Sequence, residues 1–136
     1  MKALMCQRRF IGLILSGAKP HTIRPNGKRI YKTGEIVSLR YWLYAAYRSP
    51  QVEFARVRIK NVEAIAVHKD GVSLGDGTLR AFWMGEHSKE RAPLLNKLAR
   101  DDGFANWAEM RDWFENAHGL PFHGRIIHFF VVEAFQ

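Results

Sequence analysis

The chain has 136 residues, 47% of them hydrophobic and 25% charged, and its 21 Lys and Arg against 13 Asp and Glu give a net charge of +8. That mix predicts one globular domain spanning 1–136. No apolar run approaches the ~20 residues of a membrane span, and the start MKALMCQRRF does not read as a signal peptide, so the expected setting is cytoplasmic with no membrane partner. The lone Cys6 cannot form an internal disulfide and reads as a packed thiol. The positive field favours polyanions or small anionic ligands, with nucleic acid the leading class.

In chain order, the first third reads as helix, loop, strand. Phe10, Leu13 and Ile14 keep helical spacing, and Gly17 followed by Pro20 predicts where that helix stops. The next segment packs Lys19, His21, Thr22 and Arg24 into six positions. If it is extended, Thr22 and Arg24 share a face while Ile23 turns to the core. Lys32-Thr33-Gly34 supplies a turn into the alternating strand EIVSLRYW (35–42). A second strand, 54–67, places Ala55, Val57 and Ile59 on one face and Arg56, Arg58 and Lys60 on the other, and its pattern slips at 61–64, as a bulge or bend would require.

Asp70-Gly71 marks a turn, and the region from Gly75 through the polar run 86–91 reads as irregular surface in which the GDG of 75–77 is too weak to count as a phosphate loop. Helices then return. Pro93 suits the first turn of LLNKLARDD, which Gly103 ends, and Asn106 with Glu109 resembles a capping box for a helix whose apolar stripe is Trp107, Met110, Trp113 and Phe114. The last segment, 124–135, is apolar at nearly every position, as a central strand buried on both faces would be. The predicted class is therefore α+β, with a small curved sheet or barrel and flanking helices.

The motif G-x-K-x-x-T-I-R, here Gly17, Lys19, Thr22, Ile23 and Arg24, followed by KTGEIVSLRYW, resembles the signature of the ASCH domain, a barrel related to the PUA RNA-binding domains. LARDDGF, WAEMRDWF and GLPFHGRIIHF resemble the C-terminal part of bacterial and phage-type ASCH proteins. The resemblance implies a pocket at one end of the barrel and RNA or modified-nucleoside ligands. One bacterial branch hydrolyses N-acetylated cytidine without metal, using Lys, Thr and Glu. Lys19 and Thr22 match the first two, and the Glu falls on Asp102, one methylene shorter.

On that pattern Thr22 attacks the acyl carbon, a neutral Lys19 takes its proton and Asp102 orients or shuttles protons, while Arg24 holds a carbonyl or phosphate oxygen. The plain structural alternative has Lys19 solvated, Thr22 satisfying a turn and Arg24 paired with an acid such as Asp102 at the helix end. The six histidines show neither i, i+4 pairing nor a companion Cys cluster, so neither a metal nor another cofactor is expected. His21, inside the motif, is a candidate for a phosphate or base edge. Arg40, Tyr44 and Tyr47 combine charge with stacking surfaces suited to single-stranded RNA, a nucleotide or a modified nucleoside. Two readings stay open: an enzyme, either amidohydrolase or ribonuclease, and a non-catalytic RNA- or nucleotide-binding module.

Overall fold

The computed structural model describes residues 1–75 and 82–135. Its elements in chain order are β1 (Ala3–Met5), α1 (Ile11–Ser16), β2 (His21–Pro25), β3 (Ile36–Trp42), β4 (Gln51–His68), β5 (Gly71–Leu74), β6 (Phe82–Gly85), α2 (Ala92–Asp101), α3 (Trp107–His118) and β7 (Phe122–Ala134), with a single 3-10 turn at Arg8–Phe10. The class is α+β. All seven strands belong to one sheet.

The long β4 organises that sheet. One edge pairs antiparallel with β7 from Ala55↔Ala134 to Val67↔Phe122. The other edge is shared, its first half taking β3 (Ile36↔Arg58 to Trp42↔Gln51) and its end taking β5 (Ile65↔Leu74 to His68↔Gly71). The sheet extends outward through β1, parallel to β3, through β6 on β5, and through β2 on β7. No pairing among the described residues joins those outer strands to one another, so the sheet stays open where the sequence suggested a closed barrel. The last of the outer strands ends in Pro25, which lacks an N–H and suits an edge.

Burial explains why the strand pattern slips where it does. Register shifts occur between Arg56 and Val57 and between Ile59 and Asn61. An extra residue reverses which face the following side chains occupy. Ala55, Val57 and Ile59 pack with Val37, Leu39 and Ile127, whereas Ile65 and Val67 pack with Ile126 and the helices α2 and α3. Ile126 and Ile127 are consecutive, and consecutive strand residues face opposite sides. The two cores therefore lie on opposite faces of one bent sheet. This is why β7 is apolar throughout its centre.

Besides the three-residue β1, two short strands were not legible in the sequence. Residues 71–74 and 82–85 form β5 and β6, and their segments were too short for periodicity to declare them. Residues 76–81, which carry most of the GDG reading and part of the 75–91 segment, lie outside the described residues. No helix of the described residues is long and apolar enough to cross a membrane.

Candidate functional site

The signature residues sit where two chain reversals meet. The helix α1 ends at Gly17 in the left-handed conformation, φ 85°, and the Lys19 backbone N–H donates to Leu13 O, which folds the chain back over the helix. Pro20 O then accepts from Phe129 N, and β2 begins at His21 in register with His128. From the other direction, α2 ends in a Schellman turn: Gly103 (φ +99°) donates to Arg100 O and Phe104 N donates to Ala99 O. Asp102 is the capping residue of that turn.

Lys19 joins the two reversals. Its Nζ donates to Asp102 Oδ1 at 2.8 Å and to the Asp102 backbone carbonyl at 2.6 Å, and both side chains are buried. Beneath it lies the Phe10 ring, whose centroid is 4.7 Å from the ammonium. Burial pushes the Lys19 amine below its ordinary value of 10.5, and the carboxylate of Asp102 opposes that shift without cancelling it. The helix end is fixed by Lys19, not by Arg24. The sequence alternative of a solvated Lys19 and an Arg24–Asp102 pair is therefore not what the chain adopts.

A cavity of about 480 Å³ opens beside this pair, large enough for a nucleoside-sized ligand. Lys19, Thr22, Arg24 and Asp102 all line it. Thr22 and Arg24 share the cavity-facing side of β2 as strand alternation requires, and Arg24 Nε donates to Thr22 Oγ1 at 3.3 Å. A second guanidinium nitrogen of Arg24 lies 3.9 Å from Cys6 Sγ. Burial pushes the Cys6 thiol up, with Arg24 and Lys19 opposing, so Cys6 is a neutral wall of the cavity. No hydrogen bond among the described residues joins Thr22 to Lys19 or Asp102.

The remaining candidates divide. Tyr47 lines the cavity, 88% exposed, held at φ 63° and 5.2 Å from the Trp42 ring. Tyr44, 80% exposed, and Arg40 do not line it. Arg40 instead donates to Ser38 Oγ and Gln51 Oε1 on the sheet. His21 is 2% exposed and also lies outside the lining, behind Asp102, with its Nε2 3.4 Å from Asp102 Oδ1.

Several walls escaped the sequence reading. Phe10, Phe104, Trp113 and His118 line the cavity, yet in the sequence they read as core or helix-end residues. Trp113 does both jobs, packing against the helix-side core while facing the cavity. One signal was present: His118 closes the same helix face as Trp113 and Phe114, and a histidine on an otherwise apolar stripe marks where the stripe meets a polar space.

Chemically the site offers a buried amine with weakened hold on its proton, a carboxylate to exchange that proton, a hydroxyl beside a guanidinium, and an aromatic chamber. Among the described residues no group of three or more His, Cys, Asp or Glu is placed to hold a metal ion. No family model matches the chain, and no curated protein and no solved structure matches it.

Proposed function

We propose that the cavity belongs to an ASCH-type domain of the PUA-like class and hydrolyses the amide of an N-acylated nucleoside, with N-acetylated cytidine as the reference substrate. The single observation that carries this reading is the presence of Lys19, Thr22, Arg24 and Asp102 on one cavity of nucleoside size. A basic face alone would have scattered them.

The chemistry follows from their properties. Thr22 Oγ attacks the acyl carbon and its proton passes to the uncharged Lys19 amine. Arg24, already donating to Thr22 Oγ1, favours the developing alkoxide and then the oxyanion. Collapse breaks the C–N bond, and the leaving nitrogen takes the proton from the Lys19 ammonium. Water then attacks the acyl-threonine, Lys19 again carrying the proton to the departing Thr22 oxygen, and carboxylate is released. The Thr22-to-Lys19 hydrogen bond is one that substrate completes, as catalytic contacts tighten in the complex.

One observation favours a second reading, a nucleotide-binding module without chemistry. Lys19 caps α2 through both the carbonyl and the carboxylate of Asp102, a sufficient structural reason for a buried lysine. Purified, chelator-treated protein incubated with N-acetylcytidine separates the two. Release of cytidine that is lost in Thr22→Val and partly kept in Thr22→Ser supports hydrolysis. Binding without release assigns the module, and RNA cleavage that survives Thr22→Val but is lost with Lys19→Ala assigns the ribonuclease alternative.

A further inference from the structure

Behind the cavity, Asp102 has a second neighbour that the chemistry above leaves unused. His21 Nε2 lies 3.4 Å from Asp102 Oδ1, the same oxygen that receives the Lys19 ammonium at 2.8 Å. It is buried and forms no aligned hydrogen bond. An imidazole nitrogen buried there without an aligned partner costs free energy. Its ring meets His128 edge-on at 5.6 Å, and His128 Nε2 in turn lies 3.2 Å from Glu63 Oε2. The groups facing His21 are thus Lys19 from the loop after α1, Asp102 from the end of α2 and His128 from β7, with Glu63 of β4 behind the last.

The position matters because the reaction has an unanswered proton. Paired with Asp102, Lys19 rests as an ammonium, and an ammonium cannot accept the Thr22 proton. Releasing that proton to water would strand the Asp102 carboxylate in a buried site without a cation. Transfer within the cluster avoids this: the proton leaves Lys19 Nζ for Asp102 Oδ1, and Asp102 passes it to His21 Nε2. One positive charge moves from the amine to the imidazole, the carboxylate keeps a cationic partner throughout, and Lys19 is left neutral on the cavity side.

We infer that His21 is a positioning residue that acts through Asp102, holding the proton Lys19 must give up, and that it is not a ligand contact. This rests on the hydrolytic reading for its purpose but not for its existence, since the proton exchange needs no substrate. Neutral Lys19 is the species that reacts with amine-directed electrophiles, so its labelling reports the exchange directly.

The experiment treats folded wild type and His21→Gln with a small amine-acylating reagent across pH 6–9 and reads the Lys19 peptide by mass spectrometry. Glutamine keeps a nitrogen near the Nε2 position but cannot take the proton. Lys19 labelling near pH 6, where a weakly basic His21 can still hold the proton, is expected to fall severalfold, and the two proteins are expected to converge by pH 9, with the exposed lysines as internal controls. Equal labelling near pH 6 in the folded variant overturns the inference. Because His21→Gln alters a buried site, a second measurement, independent of that variant's folding, follows the His21 imidazole resonance in wild type and Lys19→Met. With the ammonium removed, Asp102 has only His21 to share, and the imidazole is expected to hold its proton to higher pH by at least about one unit. An unchanged titration overturns the inference as well. Neither result depends on whether any substrate is hydrolysed, so a failure here is distinguishable from a failure of the hydrolase reading.

Discussion

Burial sets the proton affinities of the site at the level of single residues. His21 holds its proton less tightly than an ordinary histidine because desolvation disfavours the imidazolium, with Asp102 opposing and Lys19 and His128 assisting. The unfolded chain then binds more protons than the folded one between the lowered value and 6.5, so stability rises with pH across that window and is lost as pH falls through it. Chemical denaturation from pH 7 down to pH 5 is expected to show stability falling before the carboxylates titrate, and His21→Gln is expected to flatten that slope. Lys19 behaves likewise at the alkaline end: its burial penalty is relieved as pH rises from its lowered value toward 10.5. Asp102→Glu lengthens the carboxylate by one methylene. In the turnover assay it is expected to retain activity, because Lys19 and the Asp102 carbonyl remain to hold the pair together.

Elements, rather than isolated side chains, bring those groups together, and two glycines show how closely. A Cβ on Gly124 would stand 2.3 Å from Arg24 O and 2.8 Å from the Phe122 ring, so β2 can approach β7 only over a glycine. Gly124→Val is expected to cost about 2 kcal/mol or more in denaturant melts and to weaken ligand binding, since β2 carries Thr22 and Arg24. Gly103, at φ +99°, would set a Cβ 2.4 Å from the Phe10 ring that supports Lys19. Gly103→Ala is expected to lower stability by about 1–2 kcal/mol, measured the same way. The helices and long strands were legible because their punctuation is local: Gly17, the Asn106–Glu109 cap and the bend expected at 61–64, which falls between Ile59 and Asn61, all act within a few residues. The Asn106 side chain does accept from Glu109 N. The parallel β1–β3 pairing, the β5–β6 hairpin and the open sheet were not legible, because they depend on partners distant in sequence. The same division holds for the site. Lys19, Thr22 and Arg24 announce themselves as a polar cluster in a short loop and strand, whereas Phe10 and Trp113 are indistinguishable from core until the cavity exists. Arg40 and Tyr44 fell outside that cavity because strand direction and loop shape, not composition, decide where a side chain ends up.

For the whole molecule, charge and cavity act at different ranges. A net charge of +8 draws anionic ligands from beyond contact distance, and neutralised phosphates release counterions. Affinity for single-stranded RNA, measured by fluorescence titration, is therefore expected to fall steeply between 50 and 200 mM salt. Binding of an uncharged acylated nucleoside is expected to be nearly indifferent to salt, because the cavity is walled mostly by uncharged side chains. Equal salt dependence for both would mean that the cavity is not where the nucleoside binds.

Whether the Lys19–Asp102 pair drives chemistry in this cavity is read from the rate of cytidine release from N-acetylcytidine by wild type and Lys19→Ala. The pair is also structural, so the comparison is made at a temperature where circular dichroism finds both proteins fully folded. The expected result is measurable turnover in wild type and a loss of about a hundredfold or more in kcat for Lys19→Ala. No release by the wild type, or equal release by the folded variant, would contradict it.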